Sequence, residues 1–236
     1  MPPKTKILLV DDHPLVREWL TNLINEEPDF EVCGSTGNTR EALGLIGTLL
    51  PRIVVVDISL DGASGLELIK DIKTIHPHVD MIVLSMHDEM LYAERAMRAG
   101  AAGYVMKRDA TDTVLAAIRT VLQGGLYFSN AVNATLAQKL VQGAGEQPTT
   151  IAALSDRELE VFQLLGRGYS TRQISEQMNV GFKTVHVYCA RIREKLNLAN
   201  IHELVFQAVR WPAETLFSMP RKKEWPRQHH RYRLIE

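Results

Sequence analysis

The first 125 residues alternate short apolar runs with stretches of helical periodicity. Apolar runs of four or five residues predict strands, and apolar positions repeating every three or four residues predict helices. Five strand–helix units in series favour an α/β fold, a five-stranded parallel (βα)5 sheet that is doubly wound, with helices on both faces. The predicted strands are 6–10, 31–35, 53–56, 81–84 and 103–106, and the predicted helices are 14–26, 39–49, 65–75, 89–98 and 112–123.

Residues 151–210 change to an all-helical pattern. Ser155-Asp-Arg-Glu158 and Ser170-Thr-Arg-Gln173 both fit the capping box, in which two side chains satisfy backbone N–H groups at a helix start. Gly166-Arg-Gly168 ends the first of these helices, and Asn179-Val-Gly181 is a turn signal. The pattern predicts a small all-α domain of four helices, whose last two helices cover 182–196 and 201–210.

A helix and a linker are predicted between the two halves. Residues 129–142 have an amphipathic pattern, and GAGEQPTT at 143–150 has the composition of a flexible linker. A tail rich in arginine, proline and histidine follows Trp211, and we expect it to be poorly ordered; added contact with DNA phosphates is the alternative. The predicted boundaries are 1–127 for the first domain, 128–150 for the linker helix and linker, 151–211 for the helical domain and 212–236 for the basic tail.

Charge separates the two halves. Residues 1–127 hold 12 Lys/Arg and 18 Asp/Glu, a net charge of −6, whereas residues 151–236 hold 14 and 9, a net charge of +5. This asymmetry favours nucleic acid as a partner of the second half. The start of the chain predicts neither a signal peptide nor a membrane span. Cys33 and Cys189 fall in different halves, so we expect no disulfide framework and a cytoplasmic location.

Polar residues follow four of the five predicted strands. They are Asp11 and Asp12, Asp57, Ser85 and Lys107. Because parallel sheets bind ligands beyond the carboxyl ends of their strands, we expect these side chains to share one rim. Carboxylates suit Mg²⁺, and a lysine and a hydroxyl can hold phosphate oxygens. The pattern predicts a site for a divalent cation and a phosphoryl group, with purely structural carboxylates as the alternative.

Four segments around these positions resemble the receiver domain of bacterial response regulators. The resemblance implies that Asp57 is the phosphoacceptor and takes phosphate from a sensor histidine kinase or a phosphotransfer protein. It also implies that Asp11 and Asp12 bind Mg²⁺ together with Asp57 and the backbone carbonyl of Ser59. The matching segments are ILLVDDHPLVRE (7–18), VVVDISLDGASGLEL (54–68), MIVLSMHDE (81–89) and AAGYVMK (101–107).

The same resemblance implies a switch in the first domain. Ser85 matches the switch hydroxyl, where threonine is commoner, and Lys107 matches the lysine that holds the phosphate. Tyr104 matches an aromatic residue that turns inward when Ser85 engages the phosphate, with ordinary packing as the alternative. Asp61 stands where many receivers have proline, which predicts a looser loop. The histidines form no ligand set, and we expect loop or surface positions for His13, His76, His78 and His87.

The helix predicted at 182–196 has two faces. One face is apolar and packs inward, and the opposite face is small and basic. A solvated surface is one explanation of the basic face, and contact with a DNA duplex is the other. The inward face holds Val185, Cys189, Ile192 and Leu196, and the outward face holds Lys183, Val187, Ala190, Arg191 and Glu194, with His186 at its edge.

Residues 154–198 resemble the LuxR-type helix-turn-helix of NarL/FixJ-type regulators. The resemblance implies that 182–196 is the recognition helix in the major groove of double-stranded DNA. Tyr188 is expected in the core or at its rim. The last helix, 201–211, is implied as the contact of a homodimer in the active state. Base edges are expected to meet His186, Val187 and Ala190, and phosphates to meet Lys183, Thr184, Arg191 and Lys195.

These features predict a transcriptional response regulator in which phosphorylation of Asp57 controls dimerisation and DNA binding. Two alternatives stay open. One is a phosphohydrolase with Asp57 as nucleophile, although beyond self-phosphorylation and slow autodephosphorylation the chain is expected not to be an enzyme. The other is a phosphorylation-independent regulator or adaptor that uses the receiver as a docking face.

Overall fold

The computed structural model describes residues 3–60, 63–87, 89–142 and 151–216. Its first half is built on a five-stranded parallel sheet with the order β2-β1-β3-β6-β7. A short antiparallel pair, β4 with β5, follows the central strand. The strands are β1 (Thr5–Val10), β2 (Phe30–Thr36), β3 (Ile53–Asp57), β4 (Ser59–Leu60), β5 (Ala63–Ser64), β6 (Asp80–Ser85) and β7 (Gly103–Met106).

Helices cover both faces of the sheet, as predicted. Alternate strand residues enter two separate apolar clusters, because successive side chains of a strand point to opposite faces. Leu8 belongs to the cluster that includes residues of the helices α2, α3 and α4, whereas Leu9 belongs to the cluster that includes residues of α1 and α5. The doubly wound fold is therefore confirmed. The helices are α1 (Pro14–Asn25), α2 (Thr39–Leu49), α3 (Gly65–Ile75), α4 (Glu89–Ala99) and α5 (Ala110–Leu122).

A connecting segment leads from the sheet to the second half. Tyr127 extends the sheet beside β7 through the hydrogen bonds Tyr104 N to Tyr127 O (2.8 Å) and Tyr127 N to Ala102 O (2.9 Å). The next helix, α6 (Asn130–Gln142), packs against α4 and buries Val132. The predicted linker at 143–150 lies outside the described residues, as does Asp61.

The second half is a bundle of four helices that follows the 3-10 turn Ile151–Ala153. Both predicted capping boxes are confirmed: Ser155 and Glu158 cap α7 reciprocally, and Ser170 and Gln173 do the same for α8. Asn179 has a φ of 48°, a conformation that asparagine tolerates better than most residues, and this allows the tight turn before α9. The helices are α7 (Asp156–Gly166), α8 (Thr171–Gln177), α9 (Phe182–Lys195) and α10 (Ile201–Leu216).

The last helix is longer than predicted. It continues to Leu216 through Pro212, so the predicted end at 210 was wrong, whereas the domain boundaries stay predictions. Proline has no N–H to donate to the carbonyl four residues earlier, which is that of Ala208. A Cβ atom on Gly166 would lie 2.4 Å from this carbonyl oxygen, so glycine permits the close approach of α7 and α10. Residues 217–236 lie outside the described part.

Other boundaries differ from prediction by one or two residues, as helix and strand ends commonly do. The short pair β4–β5 and the 3-10 turn Lys107–Asp109 were not predicted, because elements of two or three residues leave no periodicity to detect. Within the described residues, no helix is both long enough and apolar enough to cross a bilayer.

Candidate functional site

Two buried carboxylates and a lysine meet at the carboxyl edge of the sheet. Asp11 follows β1, Asp57 ends β3, and Lys107 follows β7, so strand order brings them together. The Lys107 Nζ atom lies 2.7 Å from Asp11 Oδ2 and 2.7 Å from Asp57 Oδ2. Both aspartates are only 3% exposed. The predicted rim therefore exists, and the Lys107 ammonium group lies between the carboxylates of Asp11 and Asp57.

Burial controls the ionisation of this group. It raises the pKa of Asp57 to about 6, and the nearby Asp11 adds to the rise, while Lys107 opposes it. For Lys107, burial alone would lower the pKa, but the two carboxylates outweigh it and raise the pKa above the ordinary value. Asp57 is therefore an ionised but poorly solvated carboxylate at neutral pH, as suits a nucleophile.

The acidic side chains are close enough to share a cation. One ligand atom each from Asp11, Asp12, His13 and Asp57 lies within 4.8 Å of the others. Oxygen donors of this kind fit Mg²⁺, which takes one or two carboxylates and keeps several waters. Asp12 is less buried than Asp11 and pairs with His13, whose Nδ1 lies 2.6 Å from Asp12 Oδ1. The donor set therefore fits a divalent cation.

The loops after β3 and β6 carry the remaining pocket residues. The backbone N–H of Ser59 donates to Asp57 Oδ1 at 3.2 Å, which fixes that carboxylate. Ser85 is fully buried at the end of β6, and its Oγ accepts a hydrogen bond from His87 N at 3.0 Å. Tyr104 already points inward, is 2% exposed, and donates from its hydroxyl to the His87 carbonyl at 2.9 Å. Its movement as a switch stays a prediction.

Two histidines border the pocket. Both lie in loops, as expected, but His13 is among the side chains that could share a cation, contrary to the expectation that the histidines form no ligand set. His13 contacts both Asp11 and Asp12, although its own side chain is largely exposed. The His87 Nε2 atom lies 2.7 Å from Ser59 Oγ, and burial lowers the pKa of His87 to about 4. The sequence signal for each was its place two residues after a pocket residue, Asp11 for His13 and Ser85 for His87.

The second half of the chain forms one wall of a cavity above this pocket. The cavity has a volume of about 440 Å³ and includes Asp57, Lys107 and His87 among its lining residues. From the helical bundle, α7 and its end contribute Glu160, Gln163, Leu164 and Arg167, and α8 and its end contribute Gln177 and Met178. The candidate phosphoacceptor site therefore lies next to the helical domain.

Polar contacts hold the helical domain on α3 and α4. Arg95 Nη1 lies 2.7 Å from the carbonyl oxygen of Leu154 and 2.9 Å from Asp156 Oδ1. Lys70 reaches the other oxygen of Asp156 at 3.5 Å. The Tyr92 hydroxyl donates to Gln163 Oε1 at 3.1 Å. Sequence patterns predicted neither this interface nor its residues.

Helix α9 presents its predicted outward face to solvent. Val185, Cys189 and Ile192 are buried, so the inward face is confirmed, and Leu196 and Tyr188 are half-buried at its edge. Thr184 is also half-buried. Phe182, which sequence patterns did not single out, is half exposed and packs edge-on against the His186 ring at 4.4 Å. The exposed residues of the face are Lys183, His186, Val187, Ala190, Arg191 and Glu194.

Lys195 differs from the other basic residues of α9. Its Nζ lies 2.6 Å from Glu158 Oε2, and Glu158 is 2% exposed at the first turn of α7. Burial alone would raise the pKa of Glu158, but Lys195 and the Ser155 backbone N–H outweigh it and lower the pKa. Lys195 therefore has a partner inside the domain, and its expected contact with a DNA phosphate stays a prediction.

Replacing Glu158 with alanine is expected to destabilise the helical domain by about 2–3 kcal/mol, because it removes half of a capping box and one partner of a buried ion pair. Glu158→Gln keeps an acceptor for the Ser155 N–H and is expected to cost about half as much. Urea unfolding of the full chain, followed by circular dichroism, measures both. Glu176→Ala, on the exposed side of α8, is the control; equal midpoints for the Glu158 and Glu176 variants would contradict this role.

Comparison with known protein families agrees with this two-part site. The family model for the response regulator receiver domain matches residues 7–119, and the model described as bacterial regulatory proteins, luxR family, matches residues 152–208. UhpA of Salmonella typhimurium, a transcriptional regulatory protein, is 35% identical over 198 residues, which cover 84% of this chain and 94% of UhpA. ExaE of Pseudomonas putida, a transcriptional activator protein, is 34% identical over 203 residues, which cover 86% of this chain and 95% of ExaE.

Solved structures show the same architecture. A LuxR-family two-component response regulator from Aurantimonas sp. SI85-9A1 is 32% identical, with a TM-score of 0.54 over 59% of this chain and 99% of its own. RcsB of Salmonella typhimurium is 22% identical, with a TM-score of 0.63 over 87% of this chain and 97% of its own. RcsB has also been solved in complex with DNA. At this identity RcsB supports the fold alone.

A receiver domain followed by a LuxR-type helix-turn-helix defines a transcriptional response regulator of a two-component system. This chain belongs to that family, in its NarL/FixJ-type branch.

Proposed function

We propose that Asp57 accepts a phosphoryl group from a sensor histidine kinase or a phosphotransfer protein, and that this controls dimerisation and DNA binding. The observation that carries the proposal is the juxtaposition of the buried Asp57 with Lys107 and Asp11 at one edge of the sheet. An exposed basic helix, α9, lies in the same chain. A DNA target makes the cytoplasm the expected location.

The chemistry follows from the ionisation of the pocket. A carboxylate oxygen of Asp57 attacks phosphorus, the bond to the donor's leaving group breaks, and the donor leaves with the electron pair. When bound, Mg²⁺ neutralises charge on the phosphoryl oxygens, and we infer that Asp11, Asp12, Asp57 and the Ser59 carbonyl hold it. Lys107 is placed to release its two carboxylate contacts and to hold a phosphoryl oxygen instead.

Ser85 and Tyr104 are proposed to respond to the new group. The Ser85 hydroxyl lies at the end of β6, the strand next to the one that carries Asp57, and can donate to a phosphoryl oxygen. Its Oγ and the Tyr104 hydroxyl are joined through the backbone of His87, so a shift of Ser85 reaches Tyr104. Both would act by changing the balance between two conformations of the receiver.

DNA recognition is proposed for the exposed face of α9. Lys183 and Arg191 are free to reach phosphates, with the Thr184 hydroxyl between them on the chain. The base-facing positions hold His186, Val187 and Ala190. Two of these have no hydrogen-bonding side chain, so most of the affinity is expected from phosphate contacts.

We propose that the active form is a homodimer formed through α10. Phe206 and Val209 lie on this helix and are each about half exposed, although both are large apolar side chains. A second copy of α10 would cover them in an isologous contact. Two recognition helices related by a twofold axis would then read paired half-sites.

The test is phosphorylation of the full chain with acetyl phosphate and Mg²⁺. Phosphate-affinity electrophoresis measures incorporation, light scattering measures mass, and selection from sheared genomic DNA measures binding. We expect Asp57-dependent incorporation, a shift towards a dimer and tighter DNA binding. Incorporation without a change in mass or DNA affinity would favour the adaptor alternative, and steady turnover of a phosphomonoester would favour the phosphohydrolase.

Lys183→Ala and Arg191→Ala are each expected to weaken DNA binding and to lower the salt dependence of log K by about 0.9, because one phosphate contact is lost. Fluorescence anisotropy at several salt concentrations, on a duplex recovered in the selection, measures both quantities. Arg40→Ala, an exposed arginine on α2 of the receiver, is the control. An unchanged slope in the α9 variants would exclude those side chains as phosphate contacts.

A further inference from the structure

The backbone of His87 is bonded to both residues of the proposed switch. His87 follows the end of β6 by two residues. Its N–H donates to Ser85 Oγ at 3.0 Å, and its carbonyl accepts from the Tyr104 hydroxyl at 2.9 Å. A change in the position of either side chain therefore changes the hydrogen bonding of His87.

The ring of His87 bridges the pocket and the helical domain. On the receiver side, Nε2 lies 2.7 Å from Ser59 Oγ, and the ring centroid lies 4.7 Å from that of Tyr92. On the other side, the Tyr92 hydroxyl donates to Gln163 Oε1 of α7 at 3.1 Å, and the His87 and Gln163 side chains line the same cavity. His87, Tyr92 and Gln163 therefore form one cluster across the interface.

The position of the ring suits it to this bridge. Its Nε2 faces the pocket at Ser59, and the ring lies beside that of Tyr92, whose hydroxyl reaches Gln163 of α7.

We propose that His87 is the positioning residue that links the phosphoacceptor pocket to the DNA-binding domain. The inference rests on the proposed phosphorylation of Asp57. When a phosphoryl group draws Ser85 and the Ser59 loop towards Asp57, the backbone bonds of His87 change and its ring moves away from the Tyr92–Gln163 pair. The contact of α7 with the receiver is then weakened, and the helical domain is released.

The neighbouring ionic contacts do not have this property. Arg95 and Lys70 hold Asp156, but their contacts run to α7 and the turn before it and not to Ser59 or Ser85. They therefore stabilise the closed arrangement to a similar extent whether or not Asp57 carries phosphate. His87 differs because its contacts run to Ser59 and Ser85, and its cluster reaches α7.

Hydrogen–deuterium exchange of the full chain tests the inference. The probe is BeF₃⁻ with Mg²⁺ at saturation, a mimic of the phosphoryl group that removes phosphorylation lifetime from the comparison. In the native chain, we expect BeF₃⁻ to speed exchange of amides in 151–160 by about tenfold, as contacts at the interface open. In His87→Ala, these amides are expected to exchange fast from the start and to respond to BeF₃⁻ by less than about twofold.

A second pair of variants keeps the receiver unchanged. Gln163→Ala removes the α7 member of this cluster and is expected to reproduce the His87→Ala result. Gln177→Ala is the matched control, because it removes an exposed glutamine that lines the same cavity from α8. It is expected to behave as the native chain. His87→Gln, which keeps a donor and an acceptor, is expected to restore part of the response.

The outcomes separate this inference from the proposed function. One outcome is that BeF₃⁻ protects amides near Asp57 in every variant and changes amide exchange at 151–160 equally in the native chain, His87→Ala and Gln163→Ala. The role of His87 is then overturned, while phosphorylation control stands. If the native chain shows neither protection near Asp57 nor a response at 151–160, the proposed function itself fails. Loss of the response in Gln177→Ala as well would indicate a general loosening and would also overturn the specific role.

Discussion

Replacing Asp57 with asparagine is expected to abolish phosphorylation by acetyl phosphate and, in the absence of Mg²⁺, to stabilise the receiver by about 1–3 kcal/mol at pH 8. The amide has no carboxylate to attack phosphorus, so no phosphoprotein should form. The gain in stability arises because burial raises the pKa of Asp57 from 3.8 to about 6, which means that the folded state disfavours the charged form. Lys107 keeps Asp11 as a partner.

The difference in stability between the native chain and Asp57→Asn is expected to depend on pH. The native carboxyl binds its proton more tightly than the unfolded one, so the native chain is most stable relative to the variant below pH 4. Its relative stability falls as pH rises to about 6 and is constant above that value. Thermal unfolding with chelator at pH 5 and pH 8 measures the difference between the two proteins. Asp109→Asn, at an exposed carboxylate, is the control, and a difference that does not grow with pH would contradict the argument.

Gly65→Ala is expected to lower the rate of Asp57 phosphorylation about 100-fold and to destabilise the receiver by about 3 kcal/mol. A Cβ atom at this position would lie 1.9 Å from the backbone oxygen of Asp57 and 2.8 Å from Ile58 Cα. The Gly65 N–H also donates to the Ile58 carbonyl at 2.8 Å, which ties the start of α3 to the phosphoacceptor loop. The clash is with backbone, so the loop itself must move.

Gly44→Ala is the matched control for this substitution. Gly44 is an exposed interior residue of α2, and an added Cβ meets no atom within 4 Å. Alanine there is expected to stabilise the receiver by about 0.5–1 kcal/mol, because glycine is the poorer helix former. Rates of phosphorylation with acetyl phosphate and urea midpoints compare the two. A Gly65→Ala variant with native rate and midpoint would show that the loop relaxes freely.

The parts of the fold that follow local rules could be predicted from the sequence. The strands, the helices and both capping boxes depend on periodicity and on residues three positions apart, such as Ser155 and Glu158. The rim of the sheet was also predictable, because parallel topology brings the ends of distant strands together. Asp11, Asp57 and Lys107 meet there for that reason.

The interface between the domains could not be predicted in the same way. Arg95 and Asp156 are ordinary surface residues in their own segments, and their contact depends on how two folded units dock. His87 gave no signal as a member of one cluster with Gln163 for the same reason. The end of α10 was predicted too early, because proline normally stops a helix. Here Pro212 leaves the Ala208 carbonyl without its helical hydrogen bond, and Gly166 of α7 leaves room for that carbonyl.

The first turn of α7 divides its acidic residues between two tasks. Glu158 caps the helix and pairs with Lys195 inside the domain, while Asp156 faces Arg95 and Lys70 of the receiver. Because these contacts involve different side chains, docking strength can drift during evolution without loss of the fold that reads DNA. Substitutions at position 156 would change how firmly the two domains dock, while position 158 is constrained by folding.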